Sequence, residues 1–224
     1  MTEVIAMLTR DDQTVPDAID IFESCRKSPI RFWGFKDTPL SHEACGDIAA
    51  VMHKEGKSIV FESLNEDEEE CLIAAEFAIR NRCSHLIGCA FHASVVHLLA
   101  PTGVAYYPTF GRRSGIPRML HGTVQEILDD AQRVIKGGAA GLCLSMYRYT
   151  DGEPEALAKE ILHVCNTVPT VITGSINSFF RLEAIRRLSP WGFTVGSALF
   201  EQKFGADLDW TGQLAAIQNA LVIR

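Results

Sequence analysis

The chain has 224 residues, a formal net charge of -7, 47% hydrophobic residues and 22% charged residues. This is the composition of an ordinary globular protein with a well-buried core, and it excludes disordered and collagen-like chains. The acidic balance argues against a nucleic-acid partner, and no apolar run approaches the roughly 20 residues that span a bilayer, so neither nucleic acid nor membrane is expected.

The opening stretch MTEVIAMLTR has no basic n-region and no secretory apolar segment. The seven cysteines (Cys25, Cys45, Cys71, Cys83, Cys89, Cys143 and Cys165) are scattered, with no C-x-x-C pair. Together these features read as reduced, buried thiols in a cytoplasmic protein. No linker or compositional shift interrupts the chain, so residues 1–224 are read as one domain.

VIAMLTR (4–10) reads as a first strand, followed by a helix over 14–27 with Thr14 as N-cap and Pro16 in its first turn. IRFWGFKD (30–37) is a second strand, followed by a helix from Ser41 to about Lys54. KSIVFES (57–63) is a third, and Asn65 with Glu68 gives its helix a capping-box-like start. The acidic run EDEEE (66–70) suits the first turns of that helix, where negative charge is favoured. SHLIGCA (84–90) and VAYYPTF (104–110) are the fourth and fifth strands, with a short helix between them. A long polar loop, TFGRRSGIPRMLHGT (109–123), leads to a helix over 124–136 that Gly137 and Gly138 stop. GLCLSMYRY (141–149) is the sixth strand, with a helix over 153–165. PTVITGS (169–175) and WGFTVGS (191–197) are the seventh and eighth, each with a helix after it.

Eight near-continuous apolar strands alternating with about eight helices fit either a doubly wound sheet or a closed barrel. The count of eight favours the barrel. So does the end of the first strand, Thr9-Arg10-Asp11, where a G-x-G-x-x-G turn is absent. The expected fold is α/β, a single (β/α)8 TIM barrel.

Barrel chemistry gathers at the C-terminal strand ends, and phosphate sites often use the loops after strands seven and eight. The two Gly-Ser turns fall at those two places. Glycine lets backbone approach an anion, so Gly174, Ser175, Ile176, Gly196 and Ser197 are read as a phosphate cradle, with Ser178 as a further hydroxyl donor. VPTVITGSINSFFRLEAI followed by WGFTVGSALFE resembles the C-terminal quarter of the phosphate-binding barrels related to ribulose-phosphate-binding enzymes. That group includes epimerases, isomerases, thiamin-phosphate synthases and small aldolases. The resemblance implies a phosphorylated small molecule anchored by Gly174, Ser175, Gly196 and Ser197. The chain lacks the metal-binding histidines expected of a ribulose-phosphate epimerase on strands two and three, and GLCLSMYRY carries no Schiff-base lysine.

Alternation along strands sets which side chains face the barrel axis. With Trp33, Phe35, Ile59 and Phe61 outward, Lys36 and Glu62 point inward and meet at the mouth of neighbouring strands. Glu62 then suits proton abstraction next to a carbonyl, with Lys36 stabilising the enolate. A Lys36 Schiff base, as in an aldolase, is the alternative, and a non-catalytic phosphometabolite sensor is another. Tyr107 and Arg148 are further catalytic candidates; Arg10, Asp11 and His92 are mouth candidates. Arg112 and Arg113, with Arg118, make the long loop a candidate lid. The spacing of His85, Cys89 and His92 does not amount to a metal site. No metal or cofactor is expected, and a homodimer is the default assembly.

Overall fold

The computed structural model of the protein describes residues 2–222. Eight parallel strands close a barrel: β1 (Glu3–Met7), β2 (Phe32–Lys36), β3 (Ser58–Glu62), β4 (His85–Ala90), β5 (Ala105–Thr109), β6 (Leu142–Leu144), β7 (Thr170–Ile172) and β8 (Gly192–Val195). The hydrogen-bonded ring follows chain order and returns from β8 to β1. Ile5 accordingly pairs with Thr194 on one side and Phe32 on the other. Parallel neighbours require crossovers. These are α1 (Ala18–Cys25), α2 (His42–Lys54), α3 (Glu68–Arg80), α4 (Ala93–Leu99), α5 (Val124–Lys136), α6 (Pro154–Val164) and α7 (Phe179–Leu188). A short α8 (Ser197–Phe200) and α9 (Trp210–Val222) follow the last strand. No helix among the described residues is long and apolar enough to cross a membrane.

Strand alternation divides the apolar side chains into two cores. Trp33, Phe35, Ile59, Phe61 and Leu86 face outward and pack under the helices. Phe35, Phe61 and Phe77 of α3 form an aromatic wedge there, with ring centroids 4.4–6.3 Å apart. Fully burying one such side chain contributes about 1.5–3 kcal/mol. Ile5, Met7, Phe32, Val60, Ile87, Tyr107, Cys143 and Val171 fill the barrel itself. At its N-terminal end Phe32, His85, Tyr107 and Trp191 stack at 4.9–5.6 Å and form a floor. Burial in that floor, with Arg31 nearby, pushes His85 down to about 4.

Four local features depart from the sequence reading. Thr14 is not a helix cap, because Thr9 and Arg10 pair antiparallel with Thr14 and Gln13. Asp11 and Asp12 make the two-residue turn with φ of 51° and 62°, a left-handed pair that Asp tolerates and that matches hairpin twist. Asp67, not Asn65, caps α3, its carboxylate accepting from the backbone N–H groups of Glu69 and Glu70. Asn65 instead gives its carbonyl to the N–H of Ala90. The long loop contains an antiparallel hairpin, Arg112–Ser114 with Met119–His121. The sixth strand ends at Leu144 and turns into a 3-10 segment, Met146–Arg148.

Candidate active site

A cavity of about 450 Å³ opens at the C-terminal ends of the strands, within the size range of small-molecule sites. Lys36 and Glu62 lie directly opposite one another across the ladder of β2 and β3. Their side chains are 4% and 9% exposed, with Nζ 3.5 Å from Oε1. Parity thus delivers both to the wall of one cavity.

Asp12, which by sequence alone reads as part of a solvated turn, completes the arrangement. Its Oδ1 accepts from Lys36 Nζ at 2.8 Å, and Arg148 Nη2 donates to both carboxylate oxygens at 2.9 Å. Glu62, Lys36, Asp12 and Arg148 therefore form a chain of alternating charge. Balanced charges of this kind are tolerated in a partly dry site because each has a hydrogen-bonded or close opposite partner. Burial disfavours the Lys36 ammonium, but the nearby Glu62 and Asp12 outweigh that effect and raise its pKa. Burial likewise opposes the Asp12 carboxylate, yet Lys36 and Arg148 hold it down at about 2. The hairpin that presents Asp12 is fastened to β2 by Thr14, whose hydroxyl donates to the Lys36 carbonyl and accepts from the Lys36 N–H.

Both Gly-Ser turns line the same cavity. Gly174 and Ser175 have φ of 80° and 61°. A Cβ on Gly174 would stand 2.9 Å from Arg148 Nε, so glycine there lets the guanidinium lie against the turn. At Gly196 a Cβ would meet the Thr9 carbonyl oxygen and hydroxyl, each at 2.7 Å. Ser197 Oγ accepts from the Asp11 N–H, which leaves its own hydrogen available. Ile176 lines the cavity while being 2% exposed and packed in the outer core. The N–H groups of Gly174, Ser175 and Ile176 donate to no protein acceptor among the described residues. Ser178, by contrast, does not line the cavity; its Oγ caps α7, accepting from the Arg181 N–H.

The hairpin of the long loop reaches over the mouth. Ile116, Pro117 and Arg118 at its tip line the cavity, together with Arg113. Arg113 Nη1 donates to the Gly88 carbonyl at 3.2 Å. Arg113 and Arg118 also share Glu66 Oε1, at 3.5 and 3.1 Å. Arg112 alternates to the other face of the hairpin and stands outside the cavity.

Three further candidates lie elsewhere. Tyr107 packs in the barrel floor against His85 and Trp191, and the residue that β5 sends to the mouth is Thr109, two positions on. His92 begins α4 and sits 2.9 Å from the Glu66 carbonyl, away from the cavity. Arg10 is exposed beside Asp11, whereas Asp11 itself lines the cavity. The spacing of His85 and Cys89 is likewise broken: Gly88 has φ of 91° and the register slips between Ile87 and Ala90, which sends Cys89 to the outer core.

Fold and site together define a closed (β/α)8 barrel with a polar, charge-balanced cavity at its C-terminal mouth. Solved barrels of similar shape include a tryptophan synthase alpha chain from Legionella pneumophila subsp. pneumophila, with a TM-score of 0.67 and 10% identity over 98% of this chain and 91% of that one. The N-(5'-phosphoribosyl)anthranilate isomerase from Pyrococcus furiosus has a TM-score of 0.63 and 13% identity over 99% and 98% of the two chains. A 4-hydroxy-2-oxoglutarate aldolase/2-deydro-3-deoxyphosphogluconate aldolase has a TM-score of 0.64 and 15% identity over 97% and 92%. At such identities the likeness is one of fold. No protein-family model and no curated protein matches the chain.

Proposed function

We propose that the protein is an enzyme acting on a phosphorylated sugar or a similar small phosphate ester, moving a proton next to a carbonyl as an isomerase or epimerase does. The observation that carries this reading is the placement of the Lys36/Glu62 pair in the same cavity as the two Gly-Ser turns. The turns hold the phosphate through backbone N–H groups and the Ser197 hydroxyl. Glu62 takes the proton from the carbon beside the carbonyl. The C–H electron pair becomes the enolate double bond, negative charge gathers on oxygen, and the Lys36 ammonium stabilises it. Return of the proton to the former carbonyl carbon, while the hydroxyl hydrogen on the first carbon passes to the enolate oxygen, gives isomerisation; protonation of the first carbon on its opposite face by water gives epimerisation.

The raised pKa of Lys36 favours this electrostatic role over attack as a free amine, which needs the neutral form. Aldol cleavage through a Lys36 Schiff base is therefore the weaker reading. The hairpin carrying Arg113 and Arg118 serves in this proposal as a lid that excludes water.

A thermal-shift panel of phosphorylated metabolites, each beside its dephosphorylated counterpart, tests the phosphate site. A ligand at about a hundred times its Kd adds roughly 2.7 kcal/mol, which is several degrees for a chain of this size. Hits then go to proton-exchange assays in deuterium oxide. Glu62→Gln is expected to keep the phosphate-dependent shift and to lose exchange at the carbon beside the carbonyl by about 10²–10⁴-fold. Binding without exchange in the wild-type protein favours a sensor instead. Borohydride trapping of substrate on Lys36 overturns the electrostatic role in favour of the aldolase one.

A further inference from the structure

Arg113 faces the phosphate turns from across the cavity. In a ring of eight strands β3 stands opposite β7 and β4 opposite β8. Arg113 leans on Gly88 of β4 and on Glu66, just past β3, while the Gly-Ser turns follow β7 and β8. The two ends of the cavity thus carry different anion-binding chemistry, with Glu62, at the end of β3 and beside Gly88, on the Arg113 side.

The Arg113 side chain is only 6% exposed, against 35% for Arg118 and 45% for Glu66. A guanidinium has five N–H donors. This one is given a single carbonyl at 3.2 Å and, at 3.5 Å, a carboxylate oxygen it shares with Arg118. Burial lowers its pKa despite Glu66, as expected for a cation whose charge the protein compensates incompletely. Lysine suffices as a point charge, but the planar fork of arginine matches a carboxylate in a bidentate contact. A buried, under-partnered fork lining a cavity is suited to a planar anion brought by a ligand.

We infer that the substrate is anionic at both ends: a phosphate ester whose other end carries a carboxylate, held by Arg113. This rests on the phosphate reading above and narrows it. The carbon that loses its proton then lies between two fixed ends, so orientation over Glu62 is set by charge at both termini.

Matched probes separate the two ideas by calorimetry. 3-Phosphoglycerate and glycerol 3-phosphate differ only in a carboxylate against a hydroxymethyl group, as do 6-phosphogluconate and glucitol 6-phosphate at greater length. In at least one pair the acid is expected to bind about tenfold or more tightly than the alcohol. Arg113→Gln should erase that preference while leaving the alcohol's affinity nearly unchanged. Arg113→Lys, which keeps a buried cation, should lose most of it. Equal affinities within both wild-type pairs, a comparison needing no variant, overturn the carboxylate end and leave the phosphate site standing. A preference that survives in Arg113→Gln overturns the role of Arg113. If neither pair nor inorganic phosphate binds at all, this inference falls together with the phosphate reading.

Discussion

Replacing Asp12 by asparagine preserves the side chain's shape and removes the one negative charge that lies between Lys36 and Arg148. In the folded protein the carboxyl sits at about 2 against an ordinary 3.8. A depressed acid contributes stability that is fully present above its unfolded value and is lost as pH falls through the folded one. The linkage corresponds to at most about 2–3 kcal/mol. With 27% of the side chain exposed, solvent screening reduces this to about 1–2 kcal/mol. The substituted amide still accepts one hydrogen bond, but Arg148 loses its only carboxylate partner among the described residues. Asp12→Asn should therefore destabilise the protein by about 1–3 kcal/mol at pH 7. In urea this is read as a lower midpoint at unchanged slope. In a thermal melt it is a drop of very roughly 2–10 °C. Because asparagine resembles the protonated acid, the gap should be constant above about pH 5 and close as pH falls toward 2. A gap that is absent at pH 7, or that persists undiminished at the acid end, refutes the view that Asp12 is the charged centre of the network.

Gly174→Ala places a Cβ on a residue with φ of 80° and 2.9 Å from Arg148 Nε, so a stability loss of about 1–3 kcal/mol is expected. Phosphate-ester affinity should fall about tenfold or more in the same variant, and unchanged calorimetry would count against the cradle. Tyr107→Phe, buried in the floor away from the cavity, should leave the affinity for the same esters unaltered; a clear loss would mean that Tyr107 reaches the ligand. His85 is held at about 4, below its ordinary 6.5. Its neutral form therefore favours the folded state fully above 6.5, and that contribution is lost as pH falls from 6.5 through 4. An imidazole resonance that titrates near 6.5 in the folded protein would contradict this burial.

The barrel was legible because its strands are short, apolar on both faces and regularly spaced. Seven of the eight expected strands contain the observed one, and the first, read as starting at Val4, misses it by the single residue Glu3. Parity was equally informative at Lys36 and Glu62, since Trp33, Phe35, Ile59 and Phe61 fixed the outward face. Parity cannot give depth, however. Tyr107 and Thr109 share one inward-facing row, and only the second reaches the mouth. Asp12 went unrecognised because Asp11-Asp12 reads equally as a solvated turn. Its signal was there in TRDDQT, two residues tolerant of positive φ between two short pairing segments. Arg148 was placed on a strand, whereas the 3-10 turn at Met146–Arg148 is what aims it at Asp12. Such a turn leaves little trace in hydrophobic periodicity.

The hairpin after β1 also ties together the two ends of the polypeptide. The bond from the Asp11 N–H to Ser197 Oγ joins residues 186 positions apart, and that from Arg148 to Asp12 joins residues 136 apart. Gly196, against which Thr9 is packed, belongs to the same seam. Contacts so distant along the chain carry a large loop-closure cost and are expected to form late. The β1/β8 side of the pocket is then expected to close late in folding. A ligand seated there clamps the first and eighth strands together, so it should act as a latch on the whole ring, slowing its opening and shielding the β1/β8 seam from hydrogen exchange.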